Sequence, residues 1–392
     1  MPAESAAVPP GGYGPPSGYG APPGYGPPSG YGAQPGYGPP PRPKRRRALM
    51  LAITAVVAAV VAAAATGAVQ LLGRGESATT MALQSGQAIA SARGLALTGT
   101  IAGQSADLTV TRAGTVEGSY TEYGYPISRV TIKGVTYLKA PASFWISQST
   151  DPVVARQADG HWAKAPPTAV NVGFGALTPG RIAHALEHAG SSPRVTSATL
   201  GRTKVIKLSA GGIIYYITAA VPNRLLRVAG QGAVVSYAFD VTPLTTTTVA
   251  PVFTILHGEV QGLRGAVDPA AAVGLLQKIH FSANCGGPTS CTVSNRVSVT
   301  DPDSARILLR MTVDFSATKG GSAFATCADV VPMAAGETAR PTCGLSGSVW
   351  TGWVNSHNSS FVTWADAHFE VTVNTARDVV AMQHELNLEQ GG

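Results

Sequence analysis

Residues 94–141 read GLALTGTIAGQSADLTVTRAGTVEGSYTEYGYPISRVTIKGVTYLKAP. Short runs rich in Val, Thr, Ile and Tyr recur through this stretch: Leu95–Ile101, Asp107–Thr111, Gly118–Thr121, Ser128–Ile132 and Val135–Leu138. Ala113-Gly114, Gly124 and Lys133-Gly134 punctuate them. β-Branched and aromatic side chains suit a pleated, half-buried surface, and glycine supplies the backbone freedom of tight turns. The stretch therefore reads as an antiparallel meander running into Pro141 and the aromatic pair Phe144-Trp145.

Working outward, Met81–Ser91 reads as a short helix in front of the meander. Behind it, Asp151-Pro152 opens a short helix and Thr178–Ala189 forms a longer one, with Thr at the N-cap, Pro in the first turn and Gly190 at the end. Strands resume at Val195–Leu200, Lys204–Leu208, Ile213–Thr218, Leu225–Val228 and Val234–Phe239. Strands, helices and again strands over residues 76–243 indicate an α+β domain with one curved antiparallel sheet.

This element order carries a resemblance. A helix, then GLALTGT, DLTVTRAG, VTIKGVTYLKAP with its aromatic pair, Trp162, LTPGRIAHAL and GIIYYIT resembles the actinobacterial envelope lipoproteins of the LprG/LppX type, related in fold to LolA and LolB. The resemblance covers residues 76–243. It implies a half-barrel with helices over its concave face and an apolar cavity that carries a lipid or glycolipid. Under it, the candidate lining residues are Leu97, Val110, Tyr137, Phe144, Trp145, Ile182, Leu186, Ile214 and Tyr216. Members of that family are commonly anchored through a lipidated cysteine. No cysteine precedes Cys285 here, so the anchor must be of another kind.

Residues 1–43 supply it with a leader of unusual composition: 11 Gly, 14 Pro and 5 Tyr in a GYGPPSGYG repeat. Such a chain cannot bury enough apolar surface to fold and reads as a disordered tail. Arg42, Lys44, Arg45, Arg46 and Arg47 follow, then 25 uncharged residues from Ala48 to Leu72. As a helix these would extend roughly 37 Å, enough to cross a bilayer once. A small-residue pattern at Ala63–Ala65 is of the kind a signal peptidase cuts, but the long leader argues for an uncleaved span. The basic cluster in residues 44–72 orients the span: tail in the cytoplasm, residues 73–392 outside, at the cell membrane.

Of the net charge of +7, residues 1–47 hold +4, so the outer part gives little reason to expect a nucleic-acid partner. The four cysteines, Cys285, Cys291, Cys327 and Cys343, form an even set on the oxidising side. Cys285–Cys291 and Cys327–Cys343 is the pairing that closes two short loops, and two other connectivities are open. The spacings do not match the C-x₂₋₄-C pairs of a four-thiolate zinc site.

His184-Ala-Leu-Glu187-His188 matches the H-x-x-E-H pattern of one zinc-peptidase class. A catalytic zinc needs a third protein ligand, which no regular spacing nominates, and the histidines lie off the apolar stripe of Ile182, Leu186 and Ala189. His184 and His188 are therefore read as solvated. There is no G-x-S-x-G elbow, no phosphate loop and no S-x-x-K with K-T-G, so neither an enzyme nor a cofactor is expected.

Thr242–Pro251 (TPLTTTTVAP) reads as a spacer, making residues 244–267 a linker, although Leu256, Val260, Leu263 and Val267 fall at helical spacing. Asp268-Pro269 starts a helix to about Ile279. Beyond Cys285 the period becomes two: Val293 to Val299, Ile307 to Phe315, Phe369 to Val373, and Val380, Met382, His384, Leu386 and Leu388. Residues 268–392 thus read as a β-rich, disulfide-bonded domain, immunoglobulin-like as a sandwich, with a cystatin-like helix on a curved sheet as alternative. Trp350, Trp353 and Trp364, with His357 and Asn358, would be either a polysaccharide contact or core residues on opposite sides of a strand.

Two functional expectations follow. In the first, a single-pass envelope protein binds a lipid or other apolar ligand in the first outer domain. In the second, the cavity is filled and the chain is a structural or sensory interaction protein, its protein partners meeting the C-terminal domain and the tail.

Overall fold

β1 (Gly94–Ile101), β2 (Gln104–Thr111), β3 (Val116–Glu122), β4 (Tyr125–Ile132) and β5 (Val135–Lys139) are the expected meander, each strand antiparallel to the next. They come from a computed structural model that describes residues 77–391, apart from 167–168, 170–171, 190–193, 232–234, 282, 302–305 and 358–361. The tail (1–43), the basic cluster and apolar segment (44–72) and Asn358 lie outside the described residues. Among the described residues no helix is long and apolar enough to cross a membrane.

The helix before the meander, α1 (Ala78–Ala90), starts at Ser77, whose hydroxyl accepts the Thr80 amide at 3.2 Å. After β5 come α2 (Ala142–Ser147), α3 (Pro152–Gln157), β6 (Trp162–Lys164) and α4 (Pro179–Ala189). The Asp151 carboxylate caps α3 by accepting the Val153 amide at 2.7 Å. The second run of strands is β7 (Arg194–Leu200), β8 (Thr203–Ala210), β9 (Ile213–Thr218), β10 (Leu225–Gln231) and β11 (Ser236–Leu244). β11 closes back on β1, with Leu97 opposite Val241.

Residues 244–267 are not a linker. Thr246–Gln261 is a helix, α5, capped by reciprocal bonds between Thr245 and Thr248. Threonines and Pro251 make this segment look like a spacer. Val249, Val252, Phe253, Leu256 and Val260 recur at helical spacing, and burying that stripe outweighs the poor local propensity. The stripe packs with Val130, Ile132 and Tyr137 on the face of the sheet opposite α1 and α4.

The C-terminal region contains β12 (Ala266–Val267), β13 (Ala272–Leu275), β14 (His280–Phe281), β15 (Ser290–Ser294), β16 (Val297–Thr300), β17 (Ile307–Ser316), β18 (Ala323–Met333), β19 (Thr338–Ala339), β20 (Thr342–Ser346), α6 (Gly347–Ser356), β21 (Trp364–Val373) and α7 (Ala376–Gly391). Strands of both halves share one large curved sheet in the order β18-β17-β21-β12-β6-β5-β4-β3-β2-β1-β11-β10-β9-β8-β7. The join is β12, parallel to β6 (Val267 opposite Ala163) and antiparallel to β21. Gly75–Gly392 accordingly forms one compact unit, holding three apolar cores and both disulfides.

A β-sandwich is present, though not as an immunoglobulin-like domain of its own. Ile307, Leu309, Met311, Val313 and Phe315 line one buried face of β17, as their period of two implies. Ile307 and Leu309 share a core with Val297 and Val299 of the sheet β13-β16-β19. Met311, Val313 and Phe315 share one with Val293 and Leu345 of the sheet β14-β15-β20. The other layer, β17, β18 and β21, continues the long sheet. Both expected disulfides are formed, Cys285–Cys291 and Cys327–Cys343, the latter tying β18 to β20.

Three local readings are corrected. Val380–Leu388 is not a strand but part of α7, where Val379 and Leu386, two turns apart, are the buried residues. Asp268–Ile279 is not a helix. The Asp268 carboxylate accepts the Ala270 amide at 3.1 Å and the chain then extends into β13. Trp350 and Trp353 do not face opposite sides of a strand. They lie three residues apart on α6, ring centroids 5.5 Å apart, with Trp350 fully buried and its indole N–H donating to the Gly287 carbonyl at 2.9 Å. Trp353 stacks on Phe324 at 4.4 Å and on His357 at 4.6 Å, while Trp364 opens β21 with 41% exposure.

Candidate functional site

The sheet offers two faces. The inner face, under α1 and α4, is where a lipid cavity would lie. Leu97, Val110, Phe144, Trp145, Ile182 and Leu186 do converge there, all at 0% exposure. They pack with Leu208, Tyr215, Val228 and Phe239 in one apolar core. Phe144 and Trp145 meet edge to face at 5.1 Å. Where α1 meets α4 the residues are small, and a Cβ on Gly86 would lie 3.2 Å from the Ala183 carbonyl.

Three expected lining residues are elsewhere. Tyr137 belongs to the outer face, packed beside α5 with its hydroxyl donating to Asn374 Oδ1 at 3.0 Å. Ile214 and Tyr216 point away from the core, because the inward residues of β9 are Ile213, Tyr215 and Ile217. Reading a strand one residue out of phase exchanges its faces.

At one end of the inner face Tyr120, Glu122 and Arg129 are buried together. Arg129 donates to Thr131 Oγ1 and Thr136 Oγ1, each at 3.1 Å, and its guanidinium lies 4.7 Å from the Phe174 ring centre. Burial pushes the Glu122 carboxyl up and the Arg129 guanidinium down from their usual ranges. The adjoining crevice, about 20 Å³, has room for a single water.

The outer face carries an open hollow of about 700 Å³, a size typical of ligand sites. Its floor is one cross-strand row. Asp240 of β11 stands opposite Thr98 of β1, then Asp107 of β2, Ser119 of β3, Ser128 of β4 and Lys139 of β5. The row holds short hydroxyl and carboxylate side chains and one lysine, while most of the surface the hollow exposes is apolar. Gly99 and Gly118 allow the strands to close up behind this row: a Cβ would lie 2.0 Å from the Ala238 carbonyl and 2.3 Å from that of Asp107 respectively. None of these residues stood out in the sequence. They are the polar members of alternating strands, and only cross-strand register brings them into line.

One row along, Glu117 is half-buried beside α5. Burial, with Asp107 and Glu259 as neighbouring negative charges, raises its carboxyl to about 7 despite a stabilising bond from Thr109. Folding thus favours the neutral form. Stability is intact below the ordinary glutamate range and falls as pH rises toward 7. Glu117→Gln, neutral throughout, is expected to be the more stable form by roughly 2 kcal/mol at about pH 8 and no more stable than the native chain at about pH 4. Urea denaturation at the two pH values checks this.

His184 and His188 lie exposed on α4, ring centroids 4.0 Å apart, with His188 Nδ1 2.9 Å from the His184 carbonyl oxygen. Glu259 is on α5 near Glu117. No three metal-ligating side chains come together among the described residues.

Compared with known protein families and with characterised proteins, the sequence matches no family model and no individual protein.

Proposed function

We propose that this chain is a non-enzymatic interaction protein of the cell envelope, anchored by Ala48–Leu72 with residues 73–392 outside. It meets its partners on the surface of the long sheet and the C-terminal region rather than by enclosing a lipid. One observation carries this reading: six expected lining residues are completely buried in one apolar core, while the ligand-sized hollow lies on the opposite face of the sheet. Side chains packed at interior density leave no volume for an acyl chain.

The lipid-binding reading is favoured by the arrangement of elements. A curved sheet with α1 and α4 across its inner face is what the LprG/LppX resemblance implies, and it supports the half-barrel description of β1–β11. Lipid entry would require α1 and α4 to lift from a core that includes Ile89, Ile182 and Leu186. Organic extraction of the full chain purified from membranes, followed by mass spectrometry, tests the choice. The proposal expects no lipid in stoichiometric amount; one lipid per chain would restore the carrier reading.

A further inference from the structure

Charge is distributed very unevenly over the outer part. Between Thr178 and Gln231 the sequence holds seven Lys/Arg (Arg181, Arg194, Arg202, Lys204, Lys207, Arg224 and Arg227) against a single acid, Glu187, a net of +6. The whole chain is +7 and residues 1–47 account for +4, so everything else sums to −3. The segment builds α4 and the end of the sheet, β7 to β10.

Part of this charge is focused at one end of the strands β7 to β10. The β7–β8 turn and the β9–β10 loop lie side by side there: the Ala219 amide donates to the Lys204 carbonyl at 3.0 Å, and the Thr218 amide to the Arg224 carbonyl at 2.9 Å. Arg202, Lys204 and Arg224 are all exposed and have no ion-pair partner among the described residues, unlike Arg227, which is held by Asp240 at 2.7 Å. The same loop carries Val221, 62% exposed, followed by exposed Pro222. The loop is held in shape from within. Thr218 Oγ1 accepts the Arg224 amide at 2.8 Å and lies 3.1 Å from the carbonyls of Ala220 and Pro222, while the buried Asn223 amide donates to the Thr218 carbonyl at 3.0 Å.

We propose that this tip, Val221-Pro222 together with Arg202, Lys204 and Arg224, docks on an anionic lipid surface. Three cations without an ion-pair partner supply attraction to acidic headgroups, and the exposed aliphatic side chain on the same loop gains by leaving water for the headgroup–acyl boundary. A nucleic acid would use the same cations and leave Val221 without a role, which is why the bilayer is the partner inferred. The surface is distinct from the inner face and stands whether or not that face ever admits a lipid.

The test uses Gly75–Gly392, the compact unit with its own cores, in sedimentation with phosphatidylcholine vesicles made with and without phosphatidylglycerol. Binding is expected only with phosphatidylglycerol, and it should weaken as salt rises. The R202Q/K204Q/R224Q variant should bind roughly a hundredfold more weakly, at about a tenfold loss for every one to two basic residues removed. V221S, which keeps every charge, should bind several-fold more weakly. The substituted positions are exposed, so unfolding midpoints should not move. Equal binding to both vesicle types, or binding unaffected by the triple variant, overturns the proposal. So does a V221S variant that binds like the native chain, or equally tight binding of an oligonucleotide, since either would make the face a general polyanion site.

Discussion

Lys164→Met is expected to destabilise Gly75–Gly392 by about 3–5 kcal/mol at neutral pH, as measured by denaturant unfolding. Lys164 Nζ lies 3.1 Å from Asp268 Oδ2 and 3.8 Å from Asp301 Oδ1, and the two carboxylates are 1% and 0% exposed. The lysine comes from β6 in the first half, the aspartates from the ends of β12 and β16 in the second. Methionine fills similar volume and removes the cation between two buried acids. Burial already holds the Asp268 carboxyl above its ordinary range, the Lys164 charge opposes that rise, and Asp301 adds to it. Without the lysine the Asp268 carboxyl would be pushed further toward its protonated form. The loss should therefore be largest at neutral pH and shrink as the solution is acidified and the unfolded chain also takes up protons. A single cooperative transition, shifted as a whole, is expected because the cluster ties both halves to one sheet.

Trp145→Ala is expected to cost a further independent 3–5 kcal/mol or so, the range for emptying a large aromatic site in a packed core. Trp145 is wholly buried on α2 and meets Phe144 edge on. Among the described residues its indole nitrogen has no hydrogen-bond partner. Trp145→Phe should then be mild, below about 1.5 kcal/mol, because it gives up volume without leaving any polar group unpaired. The contrast separates the two functional readings. In a wall of a ligand cavity, truncation to alanine would enlarge existing space and cost little. In a filled interior it opens a new void. Equal, small effects of the two substitutions would contradict the filled core.

The meander was legible because its signals are local: β-branched runs, glycine turns and a proline stop lie within one stretch of chain. The disulfides were legible through short loop closure. What could not be read depends on distant partners. Thr246–Gln261 looks like a spacer until the outer sheet face supplies Val130 and Tyr137 for Val249 and Leu256 to cover. In α7, Val380 to Leu388 alternate by accident of composition, and the spacing that matters, Val379 to Leu386, is visible only once α5 lies alongside, where the Gln383 amide donates to the His257 carbonyl at 2.7 Å. On β9, Ile213 to Ile217 are nearly all apolar, so composition cannot choose the face that Ile214 and Tyr216 occupy. The outer hollow required the register of six strands, a property of pairing rather than of any one segment.

On the proposed function the inner face is a closed core and recognition happens outside it. Native mass spectrometry of Gly75–Gly392 incubated with a neutral diacylglycerol tests this most directly, since an uncharged headgroup gives the basic tip nothing to hold. A closed core gives the mass of the bare polypeptide at every lipid concentration; a saturable one-to-one complex means that the inner face opens to lipid.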